Sequence, residues 1–469
     1  MSVFVEFVGA AQTVTGSRHL VHTHQSTVLL DCGMYQGRRA EARQRNEQLG
    51  FDPASLQAVV LSHAHIDHSG ALPLLCKHGY QGPIYATPAT RDLCAVMLED
   101  AAMIQASDAR YLNRAIERDH LDAQPITPLY GQQDVARVLE QMISIPYHRT
   151  EQVAAGVKVT FHDAGHVLGS AVVALDLDDH GQNKRLVYTG DLGRHQMPIL
   201  RDPEVPSGAE ALLIESTYGD RLHPPIQEMD EQLAAVIHRT HQRGGKVLIP
   251  SFALERAQEV IYSLKKLRTQ KRIPPLPVYV DSPLTVNITD IFRLHPECYD
   301  AEAARLVQQA DSPFEFPGLR YVSEVEDSMA LDASEEPCVI ISASGMCEGG
   351  RILHHLKAAM EDRKNTVLIV GFQAQHTLGR RIVERRPRVR LFGVERDLNA
   401  EVVILNGFSA HADQGDLISF TEKLRERGKL RHIALVHGEK PAQDKLRTLL
   451  TERGFPDVRI PAPGQKLEF

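Results

Sequence analysis

A chain of 469 residues exceeds what one hydrophobic core ordinarily serves, and 43% hydrophobic with 24% charged residues describes a globular protein of two or three structural units. The formal net charge of −8 gives no support for bulk attraction to nucleic acid, so any polyanionic substrate must be held by local positive charge. Cys32, Cys76, Cys94, Cys298, Cys338 and Cys347 form no CxxC pair, and no apolar run approaches the roughly twenty residues that span a bilayer; reduced thiols, a cytoplasmic location and no membrane are expected.

The N-terminus carries Glu6 inside its apolar stretch and no basic leader, which reads as an amphipathic first strand rather than a signal peptide. Residues 3–8 and 18–22 alternate like paired strands, and Thr27-Val28-Leu29-Leu30 ends in Asp31 and a glycine turn at Gly33. The apolar run Ala58-Val59-Val60-Leu61 reads as a buried strand and leads into Ser62-His63-Ala64-His65-Ile66-Asp67-His68-Ser69-Gly70. Imidazole nitrogen and carboxylate oxygen together suit zinc, manganese or iron. The spacing differs from HExxH, where two histidines share a helix face. Here His63 and His65 can chelate one ion while Asp67 and His68, beyond the bend, supply a second. A helix over 71–78, a strand over 83–86 and a mostly helical segment from Pro88 to about Gln141 follow, and they name no chemistry.

The strand 157–162 leads into Asp163-Ala164-Gly165-His166, the strand 186–189 into Gly190-Asp191, and the strand 211–214 into Glu215. Each places a metal-competent side chain at a strand end, and His166 and Asp191 read as completing a dinuclear site. The pattern then changes. Helices over 228–243, 254–269, 284–294, 350–361 and 377–386 alternate with strands over 246–250, 277–281, 338–343 and 366–371, as in a parallel sheet covered by helices. Pro274, Pro275 and Pro277, with the polar stretch 310–336, read as loops. Finally Gly407-Phe408-Ser409-Ala410-His411-Ala412-Asp413 precedes a helix over 414–427, and the strand 433–436 ends in His437-Gly438-Glu439. If that strand joins the first sheet, the middle unit is an insertion. The expected organisation is 1–215, an insert 216–395, and 396–469.

Asp31, the HxHxDH run 63–68, His166, Asp191 and His437 resemble, in order and context, the five metal motifs of the metallo-β-lactamase superfamily. Glu215 in ESTYG, His411 in FSAHAD and His437 in VHGE resemble motifs A, B and C of its β-CASP branch of RNA-processing nucleases. The resemblance covers essentially the whole chain. It implies an α/β protein: an αββα sandwich built from both chain ends, with an inserted parallel-sheet α/β domain. It further implies two zinc ions per chain, one held by His63, His65 and His166, the other by Asp67, His68 and His437, with Asp191 bridging. Asp31 would accept a hydrogen bond from a ligand imidazole and fix its tautomer. At Gln375-His376 the chain departs from the family stretch, which usually reads Glu-Gly.

Two ions about 3.5–4 Å apart can activate a bridging water and stabilise both oxygens of an in-line displacement at phosphorus. Asp67 or Asp191 would accept the water's proton, and His411, paired with Glu215, would protonate the leaving 3′ oxygen. Ser342, Ser344 and Gly345, between a strand and a helix, are candidate phosphate contacts together with Thr377 and Arg380. The basic runs 380–390 and 265–272 read mainly as solvated faces. With aromatic residues at 6% and no tryptophan, an extended base-stacking platform is not expected. The function expected is a zinc-dependent ribonuclease acting on single-stranded RNA, by internal or 5′-end cleavage, with a homodimer left open. The alternatives are a DNA-directed β-CASP nuclease, a small-ester or thioester hydrolase and an inactive RNA-binding scaffold. Histidine at motif C accompanies RNA-directed members of the family, which favours RNA.

Overall fold

Successive side chains of the first strand alternate between half-buried and buried, whereas the three residues of Ala58–Val60 are all buried; the first pattern marks a strand near an edge, the second one inside a sheet. The computed structural model describes residues 3–37, 39–119, 124–225 and 227–469. The first 215 residues supply β1 (Phe4–Phe7), β2 (His19–His22), β3 (Thr27–Leu30), β4 (Ala58–Val60), β5 (Ile84–Ala86), β6 (Met142–Ser144), β7 (Thr150–Ala154), β8 (Val157–Asp163), β9 (Ala171–Asp179), β10 (Gln182–Tyr188) and β11 (Ala211–Glu215). The middle of the chain supplies β12 (Val247–Pro250), β13 (Val278–Asp281), β14 (Leu319–Val322), β15 (Val339–Ser342), β16 (Thr366–Ile369), β17 (Arg388–Leu391), β18 (Val394–Asp397) and β19 (Glu401–Ile404). The end supplies β20 (His432–Val436), β21 (Asp457–Arg459) and β22 (Lys466–Glu468).

One compact unit comprises residues 1–195, 202–222 and 411–469. Its two seven-stranded sheets run β22-β1-β2-β3-β4-β5-β6 and β21-β20-β11-β10-β9-β8-β7. Val5, Val28 and Val60 of the first sheet pack with Phe161, Leu175, Leu213 and Val436 of the second in one core. The other face of the second sheet carries Leu212, Ile214 and Leu435 against Leu417, Phe420 and Leu424 of helix Gln414–Glu426 and Leu446 and Leu450 of helix Lys440–Glu452. Helices Leu72–Lys77 and Pro88–Arg118 bury Leu75, Leu93 and Leu98 beside the first sheet, the longer one running along β6. This is the αββα sandwich. β20 pairs in parallel with β11, from Ala211↔His432 to Glu215↔Val436, and β22 pairs with β1, so both chain ends build one unit. That register carries His437 to the sheet end where Glu215 lies.

The other unit comprises residues 196–201 and 223–410, around an all-parallel sheet of order β14-β13-β15-β12-β16-β19. The polar stretch 310–336, expected as loop, holds β14 and the helix Val325–Ala333. β14 is an edge strand with Val322 its one fully buried residue, so it offers no apolar run to read. The unit also extends past the expected boundary at 395, because β19 pairs with β16 and Glu401 ion-pairs with Arg239 and Arg243. The expected helical segment 88–141 resolves into two helices, Pro88–Arg118 and Gln132–Gln141, with residues 120–123 outside the described residues. Among the described residues no helix is long and apolar enough to cross a membrane, and all six cysteines are buried free thiols.

Candidate active site

Strand ends of the sandwich deliver the donors. Asp31 follows β3, the segment 63–68 follows β4, His166 follows β8, Asp191 follows β10, Glu215 ends β11 and His437 follows β20. The connecting loops lie nearly on top of one another. A Cβ at Gly33 would sit 1.6 Å from the Asp67 carbonyl oxygen, and one at Gly193 would sit 1.9 Å from that of Gly165, so glycine alone fits either place. Asp31 and His437 adopt the left-handed region, with φ of 57° and 45°, and both turn their side chains inward from a strand end.

Two donor groups result. Ligand atoms of His63, His65, His166 and Asp191 lie within 4.8 Å of one another, as do those of Asp67, His68 and His437. In the first group, His65 Nδ1 is 3.2 Å from His63 Nε2 and 3.3 Å from His166 Nε2. Asp191 Oδ2 lies 3.6 Å from His63 Nε2 and 3.5 Å from His166 Nε2. Its other oxygen faces the second group, 3.3 Å from His68 Nε2 and 3.1 Å from His437 Nδ1. His437 Nε2 in turn lies 3.5 Å from Asp67 Oδ2. One carboxylate thus serves both groups.

Electrostatics fit a cation. Burial and the neighbouring imidazoles hold His63 well below its ordinary pKa and His65 at about 4, so both rings are neutral and offer lone pairs. Three ring nitrogens then converge with at most one proton between any two of them, an arrangement that a cation satisfies and a hydrogen-bonded core does not. Burial opposes ionisation of Asp191, but His437, His68 and His411 outweigh it and hold the carboxyl well below the usual range. Three imidazoles, two of them held neutral, with an ionised carboxylate, beside a second group of two imidazoles and a carboxylate, form a divalent-metal site.

A buried network holds the donors in place. Asp31 Oδ2 accepts from His68 Nδ1 at 2.6 Å, Ser62 Oγ at 2.8 Å and Tyr188 OH at 2.7 Å, while its Oδ1 accepts from Ser62 N at 2.7 Å. The bond to Nδ1 leaves His68 Nε2 facing the second group. With its hydroxyl proton spent on Asp31, Ser62 Oγ accepts from His63 Nδ1 at 3.0 Å, which leaves His63 Nε2 facing the first group. The sequence reading missed Ser62 and Tyr188. A serine directly before the first ligand and a tyrosine three residues before Asp191, each at a strand end, are the signals it had. Asp31→Asn keeps the shape but weakens this acceptor, and metal affinity should fall about 10–100-fold; competition with a chromophoric chelator measures it, and an unchanged affinity would refute the role.

Glu215, fully buried, accepts from His411 Nδ1 at 3.0 Å and from Leu192 N at 2.7 Å through Oε1, and from Thr217 N at 3.3 Å through Oε2. His411 is seated by an isolated bridge to Gly193 and lies 3.9 Å from Asp191 Oδ2, its ring 4.5 Å from that of His166. Burial opposes charge on this ring, but Glu215 and Asp191 outweigh it and raise its pKa to about 9.

The expected phosphate contacts belong to the other unit and differ in what they leave accessible. Ser342 is buried and donates to the Asp281 carbonyl, and Ser344 Oγ accepts from Glu348 N and Gly349 N. Thr377 Oγ1 accepts from Arg380 N as the cap of a helical turn and donates to the Ala374 carbonyl. Gly345 lies against Phe252. Arg380, partly exposed and paired with Glu384 at 3.0 Å, presents the accessible charge of this set. Of the second basic run, Lys265 is buried and bonded to Asp311 and Ser312, and Lys266 pairs with Asp230.

Comparison with known proteins agrees with this geometry. Residues 16–227 match the metallo-beta-lactamase superfamily, 257–382 the Beta-Casp domain, and 395–461 the Zn-dependent metallo-hydrolase RNA specificity domain. The chain is 40% identical over 446 residues to a ribonuclease of Thermus thermophilus, covering 95% of each chain. It is 32% identical to the transcription termination factor FttA of Methanosarcina mazei, over 94% of this chain and 67% of that one. The FttA of Methanocaldococcus jannaschii is also 32% identical, over 98% and 71%. A crystal structure of a protein of unknown function from Enterococcus faecalis shares the fold, with a TM-score of 0.54, 14% identity and full coverage of both chains. The chain belongs to the β-CASP family of the metallo-β-lactamase superfamily.

Proposed function

We propose that this chain is a zinc-dependent ribonuclease that hydrolyses phosphodiester bonds of single-stranded RNA. The observation that carries the reading is Asp191, whose two oxygens face two separate His/Asp groups while the His411–Glu215 pair stands beside them. His63, His65 and His166 would hold one ion, Asp67, His68 and His437 a second, with Asp191 shared. When bound, the ions would activate a water and stabilise charge developing at phosphorus. The remaining steps belong to the chain. Asp31, Ser62 and Tyr188 keep the ligand rings oriented, and Asp67 or Asp191 would take the water's proton. His411, with Nδ1–H held by Glu215 Oε1, presents Nε2–H to the leaving 3′ oxygen.

Support for RNA over DNA comes from His437 at motif C and from the ribonuclease that aligns with 95% of this chain. The termination factors also act at the level of RNA synthesis by their name, but the chain aligns with a smaller share of them. The test is incubation of zinc-loaded protein with 5′- and 3′-labelled RNA and DNA of one sequence, alongside elemental analysis. Two zinc ions per chain and a higher kcat/KM on RNA are expected. Equal rates on both polymers, or one ion per chain, would overturn the reading.

A further inference from the structure

The inserted sheet has a topological switch beside β12. The connection leaving β12 passes through helix Arg256–Thr269 to β13, on the β15 side, whereas β16, adjacent to β12 on its other side, continues outward to β19. Neighbouring parallel strands whose connections diverge open a crevice at their carboxyl ends, where open α/β sheets bind ligands. Phe252 stands at the end of β12 and Phe372 just past the end of β16, so both edges of this crevice carry a phenylalanine.

Both rings are open to solvent, Phe252 at 38% and Phe372 at 58% exposure; they are two of the three exposed phenylalanines among the described residues. The chain has fourteen, and burying such a ring ordinarily stabilises the fold. The floor of the crevice is shaped around the first ring. A Cβ at Gly345 would lie 2.8 Å from Phe252 Cδ2 and from its backbone nitrogen, so glycine lets the β15 loop seat the ring. A Cβ at Gly371 would lie 3.5 Å from Cε2, at ordinary contact, so a side chain there would cover the ring that glycine leaves open. Gln373, buried, ties the two loops by donating through Nε2 to Gly345 O at 2.8 Å and Gly371 O at 3.2 Å. Gly379 gives that amide its room, since a Cβ there would lie 1.6 Å from Gln373 Oε1. The ring thus rests on a braced glycine floor with Arg380 in the following turn.

We propose that Phe252, with Phe372, stacks an unpaired base of the RNA substrate at this switch crevice. The inference rests on the ribonuclease reading above. A flat π-face accepts any base, which suits a single strand without fixed sequence, and an aromatic–base contact of this kind contributes a factor of about 5–150 in binding. A local aromatic contact differs from the extended platform that the low aromatic content gives no reason to expect.

The test uses the full-length, zinc-loaded protein and single-stranded RNA carrying 2-aminopurine at successive positions. Wild type should quench the fluorescence of one position on binding. In Phe252→Ala that quench should vanish and KM rise about 5–150-fold, the loss falling in KM rather than kcat. Phe252→Tyr should restore both, and Phe372→Ala should weaken the quench. Wild type that cleaves RNA but shows no position-specific quench, or Phe252→Ala with wild-type KM and quench, would overturn the stacking inference alone. Wild type that neither binds nor cleaves RNA would overturn the ribonuclease reading beneath it. A lost quench and a raised KM in Phe252→Ala without rescue by Phe252→Tyr would assign the effect to folding and likewise overturn the proposal.

Discussion

Asp191→Ala should lower kcat/KM about 10³–10⁴-fold and take zinc below two ions per chain. The magnitude follows from losing several kcal/mol of transition-state stabilisation, at one decade per 1.4 kcal/mol. The side chain is 2% exposed, and its oxygens reach His63 and His166 on one side and His68 and His437 on the other. Two nearby carboxylates are held elsewhere: Glu215 is committed to His411 and Leu192, and Asp31 to His68, Ser62 and Tyr188. Asp191→Asn separates charge from shape, because the amide fills the same volume without the negative charge that draws cations to five imidazoles. It should retain the fold and lose metal nearly as far as Asp191→Ala. Metal content by elemental analysis, read beside kcat/KM and the thermal transition, checks this. A folded Asp191→Ala protein with two ions and full activity would remove Asp191 from the bridging role.

The sandwich was legible because its strands are buried on both faces or end in donors. Ala58–Val60 and Ala211–Glu215 are continuous buried runs, and each hands directly to a His, Asp or Glu. The return of the chain to the first unit was readable at His437, since Ile433-Ala434-Leu435-Val436 repeats the pattern of β11, and the two strands do pair in parallel. Long-range hydrogen bonding was beyond reach. That Asp31 would accept from a ligand imidazole is what the family resemblance implies; that this imidazole is His68, 37 positions away, and that Tyr188 and Ser62 close the same network, follows only once β3, β4 and β10 are folded together.

The inserted unit was legible in its central strands and not at its margins. Val339–Ser342 and Thr366–Ile369 are wholly buried and read as strands, whereas β14 is an edge whose half-exposed residues carry no apolar run, and the edge strand β19, although it holds Val402-Val403-Ile404, lies beyond the expected boundary at 395. For the same reason the basic runs looked alike in sequence, although Lys265 is buried in a bonded pair and Arg388 lies on a hairpin opposite Asp397. The glycines around Phe252 show the converse case. Gly345 reads as a phosphate contact from its place between a strand and a helix, and in the folded chain it lies against the Phe252 ring.

His411→Ala should reduce kcat about 10²–10⁴-fold while leaving both zinc ions bound. The argument is geometric first. His411 Nδ1 bonds to Glu215 at 3.0 Å and stands 3.9 Å from Asp191, farther than the 3.1–3.6 Å of the other rings' nitrogens from that carboxylate. It therefore sits beside the donor groups rather than within them. The proton follows from charge. Glu215 and Asp191 overcome the burial penalty and bring the imidazolium pKa to about 9, so at neutral pH the ring is charged and Nε2–H is available. A general acid works only while protonated, so activity should fall as pH rises through this pKa and be retained below it. Cations bound at Asp191 take up part of the charge that raises it, so the alkaline limb of the metal-loaded protein should lie below 9, with Glu215 as the remaining support. Glu215→Gln keeps an acceptor for Leu192 N but removes that charge, and should move the limb about 1–3 units lower. The profile of kcat/KM against pH for wild type, Glu215→Gln and His411→Ala decides the matter. A limb that stays in place in Glu215→Gln would uncouple the pair, and loss of zinc in His411→Ala would make His411 a ligand instead.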